Sequence, residues 1–159
     1  MTTFVYNESV TDALKDTIST ALGAAAASGI GNNDVGKAYK AGTVQNYVPC
    51  ADGDPIEGFV TAVEPFTVNN GFVFGSVQRR GRKLVQNGAA QAQLAVGDYV
   101  VAFTQVAIGT AGLAQVKKAT ATAATDDGAL NQAGLYAWRV IRIVSGTGVA
   151  GDQVLIERV

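Results

Sequence analysis

Histidine is absent from this chain of 159 residues, and cysteine occurs only once. Without histidine there is no imidazole base, no histidine-activated nucleophile and no His-ligated metal site. The single thiol, Cys50, cannot form an internal disulfide or a cysteine-rich zinc site, and we expect it to be a small buried apolar side chain. The composition therefore argues against most hydrolases, and we expect no catalytic residues, no cofactor and no metal.

Charge of either sign is scarce, since charged residues make up 16% of the chain and the formal net charge is −1. A nearly neutral protein has no net field that would draw it to nucleic acid or anionic lipid. No run reaches the roughly 18 apolar residues of a membrane span, and the N-terminus lacks the basic and apolar regions of a signal peptide. We therefore expect a soluble protein that is not secreted by the usual signal, with no nucleic acid or membrane among its partners, and we also expect no small-molecule substrate.

Small and β-branched residues dominate the chain, which has 21 valines, 14 threonines and 19 glycines. From Val35 onward, short apolar or alternating runs are broken by turn residues about every 8 to 12 positions, which is typical of an antiparallel barrel or sandwich. Residues 34–159 are therefore predicted to form a mainly β domain, a small antiparallel β-barrel or β-tulip. The predicted strands are residues 37–40, 43–48, 58–63, 72–77, 82–85, 99–105, 114–117, 136–144 and 153–158.

Other details of the β domain follow from its turns and its aromatic residues. Asn70-Gly71 is the clearest hairpin turn, because both residues tolerate positive φ. Aromatic residues within or beside the strands, among them Phe59 and Trp138, are expected mainly to fill the core. The pattern of residues 118–134 fits either an edge strand or a loop.

The first 33 residues have a different pattern and are interpreted as an N-terminal arm. Residues 9–22 carry apolar side chains at steps of three and four, which predicts a short amphipathic helix. An Ala/Gly-rich connector follows it. The helix either packs on its own domain or reaches a neighbouring subunit. In the second case Leu14, Ile18 and Leu22 are the candidate interface residues.

Two glycine-rich segments resemble nucleotide-binding motifs by spacing. Residues 31–37 match the first seven positions of a phosphate-binding loop, but Ala38 replaces the hydroxyl residue and no strand precedes the segment. Residues 146–151 match a dinucleotide fingerprint, but the eight residues after them read as a strand and leave no room for the required helix. We interpret the first segment as a turn into a strand and the second as a hairpin loop.

Clustered charges are the other candidate sites. Acidic residues at Asp52, Asp54 and Glu57, and at Asp126-Asp127, fit Asp-Gly turn chemistry better than calcium binding, because the EF-hand spacing is absent. Basic residues form one strong group, which comprises Arg79, Arg80, Arg82 and Lys83. This group is either a solvated strand face or a docking site for an acidic protein surface, since arginine and lysine donate directed hydrogen bonds to carboxylates.

The order of several turn-plus-strand segments resembles that of tailed-bacteriophage head decoration proteins, also called capsid cement proteins. The likeness extends from about Asp34 to the C-terminus and excludes the first 33 residues. It rests on residues 34–40, 52–60, 74–78, 96–102, 138–141 and 154–157.

This resemblance implies a β-barrel or β-tulip protein that is added to the outside of an assembled icosahedral head. Such proteins commonly form homotrimers and bridge neighbouring subunits of the major capsid protein, which stabilises the head against internal DNA pressure. The expected location is the outer capsid surface of the virion, after synthesis in the host cytoplasm. The alternatives are another virion β-module, of the tail or baseplate, or a carbohydrate-binding domain with exposed aromatic residues.

Overall fold

The computed structural model describes residues 17–23, 29–43, 46–64, 73–120 and 138–159. These residues form ten strands and one 3-10 turn, so the prediction of a mainly β protein is confirmed. The strands are β1 (Thr17–Leu22), β2 (Ala38–Ala41), β3 (Asn46–Pro49), β4 (Gly58–Glu64), β5 (Val73–Gln78), β6 (Arg82–Asn87), β7 (Val100–Ala102), β8 (Gln115–Lys118), β9 (Trp138–Ile143) and β10 (Gln153–Arg158); the 3-10 turn is Asn32–Asp34.

The first five strands close into a barrel in the order β1-β3-β2-β4-β5, because β1 pairs with both β3 and β5. The β1–β3 pair is parallel, and the other pairs of the barrel are antiparallel. Closure leaves the barrel without a free edge. Its interior is filled by apolar and aromatic side chains, which are Leu22, Ile30, Tyr39, Tyr47, Val60, Val63, Val73 and Val77.

The other five strands form a second sheet in the order β7-β8-β6-β10-β9. Its β6–β8 pair is parallel and the remaining pairs are antiparallel. An isolated antiparallel bridge joins Tyr99, just before β7, to Arg139 on β9. The two outer strands of this sheet are therefore connected at one point.

The second sheet packs against the barrel through a shared apolar core. Ala38 and Phe59 come from barrel strands, and they belong to the same buried cluster as Trp138 and Val140 of the second sheet. Phe59 and Trp138 meet edge to face, with ring centroids 4.9 Å apart and an interplanar angle of 89°. Successive side chains on a strand point to opposite faces, so β4 sends Phe59 to this core and the next residue, Val60, into the barrel.

The N-terminal helix predicted over residues 9–22 is wrong in its described part. Residues 17–22 form β1, which pairs with β5 along its whole length. The physical reason is that the Thr-Ile-Ser-Thr sequence has high β propensity and that pairing with two neighbouring strands overrides local helical periodicity. This part of the expected arm is thus a wall of the barrel; residues 1–16 and 24–28 lie outside the described residues.

Most strand boundaries of the remaining chain agree with the sequence pattern, but the strand predicted over residues 99–105 is wrong in its second half, since β7 ends at Ala102. The predicted 153–158 strand is β10 itself, and the predicted 58–63 and 82–85 strands match β4 and β6 with small extensions. The Asn70-Gly71 hairpin and residues 121–137 lie outside the described residues. Within the described ranges, the structure contains no helix long and apolar enough to cross a membrane.

Candidate interaction surfaces

The predicted basic group lies where the barrel connects to the second sheet. β5 ends at Gln78 and β6 begins at Arg82, so Arg79 and Arg80 belong to the connecting turn, in which Gly81 has φ of 93°. Strand alternation therefore does not determine the directions of Arg79 and Arg80. Arg80 is exposed, whereas Arg79 is partly buried.

Register separates the two basic residues that do lie on β6. Arg82 is paired with Glu157 of β10, and its Nε donates to Glu157 Oε1 at 3.2 Å. Lys83 is paired with Ile156, which is fully buried. Since directly opposed residues share a face, Arg82 and Lys83 lie on opposite faces of the second sheet. The four basic residues adjacent in sequence are thus not one continuous surface.

Arg79 is part of a polar contact between the barrel and its connection. The Tyr47 hydroxyl forms side-chain hydrogen bonds with Glu57 and Arg79. Burial raises the pKa of Tyr47, and the Glu57 carboxylate raises it further. Arg158 Nη1 donates to the backbone oxygens of Glu57 and Arg79 at 2.7 and 2.8 Å. The end of β10 is thereby fixed to the barrel, so the turn at Arg79 is held from both sides.

The segment that resembles a phosphate-binding loop forms a turn into β2, as predicted, and its charged residues bind each other. Lys37 Nζ donates to Asp34 Oδ1 at 2.5 Å and to the backbone oxygen of Ala107 at 2.7 Å. The Asp34 carboxylate also accepts from the backbone N–H of Gly31 at 2.9 Å and of Gly109 at 3.0 Å. We call this arrangement the Asp34 latch, because it holds the 107–109 loop against the 3-10 turn.

The Asp34 latch keeps its carboxylate ionised. Burial raises the pKa of Asp34, but the hydrogen bonds from Lys37, Gly31 and Gly109 outweigh that effect and hold it below its ordinary value. Asn33 adds a hydrogen bond from its amide to the Gly109 oxygen at 2.8 Å. Two exposed apolar residues, Val35 and Ile108, flank the latch. The loop is therefore a fixed surface feature.

The second glycine-rich segment, residues 146–151, lies in the hairpin between β9 and β10, as predicted. Its backbone N–H groups at Thr147, Gly148 and Val149 all donate to Asp152 Oδ2, at 2.9, 2.9 and 3.1 Å. Such a nest of successive N–H groups suits an anion. Here the protein's own carboxylate fills it, which accounts for the motif without a nucleotide.

The described acidic turn residues have structural partners. Asp54 Oδ2 accepts from the Ala51 N–H at 2.7 Å and forms an ion pair with Lys40 at 2.7 Å. Asp52 is paired with Lys117 at 2.9 Å. These contacts support the turn-chemistry interpretation of the 52–57 cluster; Asp126 and Asp127 lie outside the described residues. Across the described ranges, no group of three metal-ligating side chains is placed to hold an ion.

Cys50 is buried, as predicted from its being the single cysteine of the chain. Burial raises the pKa of its thiol to about 12, and the nearby Asp54 carboxylate adds to the shift. A thiol in this environment stays protonated near neutral pH and is a poor nucleophile. Cys50 is therefore suited to packing.

The apolar candidates of the N-terminal segment belong to the barrel where they are described. Leu22 is 0% exposed inside the barrel, and Ile18 packs against the same cluster. Leu22 is thus not available as an interface residue, because its side chain is already fully buried in its own domain. Leu14 lies outside the described residues.

Sequence reasoning missed two basic residues of β9, Arg139 and Arg142. Arg139 lies in a segment of the family resemblance, but simple alternation assigns it and Arg142 to opposite faces. The strand register places both on the outer face of the second sheet, which is the face away from Trp138 and Val140. The sequence separation of three residues does not predict that the two arginines share a face, because their common direction depends on a local irregularity in the pairing of β9 with β10.

Comparison with known proteins adds no assignment: no family model, curated protein or solved structure matches this chain.

Proposed function

We propose that this chain is a structural protein without enzymatic activity that binds the outer surface of an assembled bacteriophage head. In this proposal it acts as a homotrimer, bridges neighbouring major capsid protein subunits and stabilises the head against internal DNA pressure. Its location is the outer capsid surface of the virion. Its partners are the major capsid protein and other copies of itself.

The observation that carries the proposal is the placement of the segments that resemble head decoration proteins. Residues 34–40 form the end of the 3-10 turn and most of β2, while residues 52–60 lead into the start of β4 and residues 74–78 form most of β5. Residues 96–102 lead into β7, and the last two segments lie in β9 and β10. The segments that carry the resemblance therefore lie in both sheets of one connected β framework.

The framework has the rigidity that a bridging protein needs. Its barrel has no free edge, and a shared core with Phe59 and Trp138 couples the barrel to the second sheet. The Asp34 latch and the Asp152 nest fix two surface loops through charge-assisted hydrogen bonds. Loops that are already ordered lose little conformational entropy on binding, so weak contacts retain more of their binding free energy.

Binding to several subunits at once would make such contacts effective. A trimer that is attached at one point makes its further contacts intramolecularly, and avidity then exceeds single-site affinity by about 10² to 10⁴. A ligand that binds the intact shell and not the ruptured one stabilises the intact shell by mass action, by about 3 kcal/mol per site at a hundredfold excess over Kd.

Cosedimentation with expanded heads that lack their decoration protein tests the proposal. We expect the purified protein to pellet with heads of the matching phage at a fixed stoichiometry and to raise the temperature at which those heads release DNA. Unexpanded proheads are the control for surface specificity. Failure to bind expanded heads at any ionic strength would contradict the proposal, and binding to a glycan array in its place would favour the carbohydrate-binding alternative.

A further inference from the structure

The register of the second sheet aligns charged residues from three strands in one row. Arg82 of β6 is opposite Glu157 of β10, and Glu157 is opposite Arg139 of β9. Directly opposed residues project from the same face of a sheet. Two guanidinium groups therefore flank one carboxylate on the outer face, which is the face away from Trp138 and Val140.

A β-bulge adds Arg142 to this face. Ile156 is paired with Val140, while the preceding residue, Leu155, is paired with Arg142, so Ile141 has no partner in the ladder. Because Ile141 is an extra residue in the strand, the side chain of Arg142 projects from the same face as that of Arg139 and not from the opposite one. Burial agrees with this register, because Val140 is fully buried, Arg142 is exposed and Ile143 packs against the core. We call Arg82, Arg139 and Arg142 the arginine face.

Two members of the arginine face have no partner among the described residues, and the third has one. Arg82 is held by Glu157, in a pair whose side chains are 36% and 37% exposed. Arg139 and Arg142 form no ion pair or hydrogen bond with the described parts of the chain. Within the described ranges, the donors of Arg139 and Arg142 are therefore open to an external partner. Lys117 and Lys118 on β8 differ, since each is paired with an aspartate.

The chemistry of this face fits carboxylates of a protein. Guanidinium groups bind carboxylates through two parallel hydrogen bonds, and arginine is enriched at protein interfaces. Leu84, Leu155 and Arg142 form the next row of this face, in which Leu84 is partly buried and Leu155 is buried. The carboxylate of Glu157 lies in the middle of the row and would repel a continuous phosphate backbone. The arrangement therefore favours separate carboxylates of a protein over nucleic acid.

We propose that the arginine face is a docking surface for an acidic protein surface, with Arg139 and Arg142 as its principal donors. The inference rests on the proposed function only for the identity of the partner, which would then be the outer surface of the head. The bulge at Ile141 has a role in this view, since it places both arginines on one side of β9. The predicted group at residues 79–83 contributes only Arg82.

The test compares two double variants that remove the same charge. R139Q/R142Q removes the unpaired arginines, whereas K117Q/K118Q removes two lysines of β8 and serves as the matched control. The lysine pairs are at the surface, so their loss changes stability little. Circular dichroism and thermal unfolding establish that both variants fold. Binding is then measured on expanded heads and on resins that carry polyglutamate, polylysine or duplex DNA, at low and moderate salt.

We expect R139Q/R142Q to bind heads about tenfold or more weakly than the wild type, because the variant lacks the charge-assisted hydrogen bonds that both arginines donate to carboxylates. K117Q/K118Q should bind like the wild type, and polyglutamate retention should depend on the arginines. Equal head binding by all three proteins overturns the inference and leaves the proposed function intact. If the wild type does not bind heads but binds polyglutamate through Arg139 and Arg142, the result contradicts the proposed function and supports the docking surface. The inference is overturned if the wild type is retained only by the DNA resin, or if it binds none of the resins and no heads.

Discussion

Lys37 and Asp34 form an ion pair inside the protein, with side-chain exposures of 3% and 0%. Each member of the pair also forms a hydrogen bond with the 107–109 loop. Asp34 accepts one from the Gly109 N–H, and Lys37 donates one to the Ala107 oxygen. These bonds join segments that are 70 and 75 residues apart in the chain. The conformation of the 107–109 loop therefore depends on one buried carboxylate.

Replacing Asp34 by Asn should lower the free energy of unfolding by about 3 to 5 kcal/mol, because it leaves the Lys37 ammonium buried without a counter-charge. The double variant D34N/K37M should lose less than the two single losses combined. Urea unfolding measures all four proteins. Asp54→Asn is the control, since the Lys40–Asp54 pair is partly exposed and should contribute about 1 kcal/mol or less. Strict additivity in the cycle would contradict the coupling of the pair.

The same carboxylate should make stability depend on pH. Because the folded pKa of Asp34 lies below its unfolded value of about 3.9, its contribution is fully present above that value and is lost as pH falls through the folded pKa. The stability difference between the wild type and D34N should therefore shrink below about pH 4. Subtracting the D34N curve removes the contribution of the other carboxylates. A difference that stays constant down to acid denaturation would show that the Asp34 pKa is not lowered on folding.

Most of the β framework could be predicted because its signals are local. Short alternating runs end at Gly, Asp and Asn residues, and those runs became β2 to β10 with shifts of a few residues at their ends. The hairpin at 146–151 is predicted because the residues that follow it have the pattern of a strand and not of a helix. Closure of the barrel could be proposed as an architecture, but its strand order and the parallel β1–β3 pair depend on contacts distant in sequence.

The predicted helix failed for a specific reason. Ile18 and Leu22 are four residues apart, and that spacing puts two side chains on one face of either a helix or a strand. Pairing with β5 decided between the two, and no local pattern reports that pairing. The same limitation applies to Arg139 and Arg142, whose common direction depends on the bulge at Ile141. The Asp34 latch was equally hidden, because its second partner is the distant 107–109 loop.

Leu22→Ala distinguishes a barrel residue from an arm residue. Leu22 is fully buried, so the substitution should lower the free energy of unfolding of the isolated protein by about 2 to 5 kcal/mol. Thermal denaturation followed by circular dichroism measures the loss. Ala21→Ser, on the adjacent and only partly buried position of β1, is the control and should have a much smaller effect. Unchanged stability with weakened binding to heads would return Leu22 to the interface role first expected for it.

Two tyrosines of the barrel core should respond oppositely to loss of their hydroxyl groups. The Tyr39 hydroxyl is buried and has no hydrogen-bond partner in the described structure, and burial raises its pKa. Tyr39→Phe removes an unsatisfied polar group, so stability should stay the same or rise by about 1 kcal/mol. Tyr47→Phe breaks the contacts with Glu57 and Arg79 and should lower stability by about 1 to 3 kcal/mol.

The pair is well matched, because both residues lie in the same apolar cluster and both substitutions remove one oxygen. Urea unfolding of the two variants at neutral pH, where both phenols are protonated, gives the comparison. A large loss of stability in Tyr39→Phe would mean that its hydroxyl has a partner, such as a buried water molecule inside the barrel. Equal small effects in both variants would mean that the Tyr47 contacts contribute nothing to holding the connection at Arg79 in place.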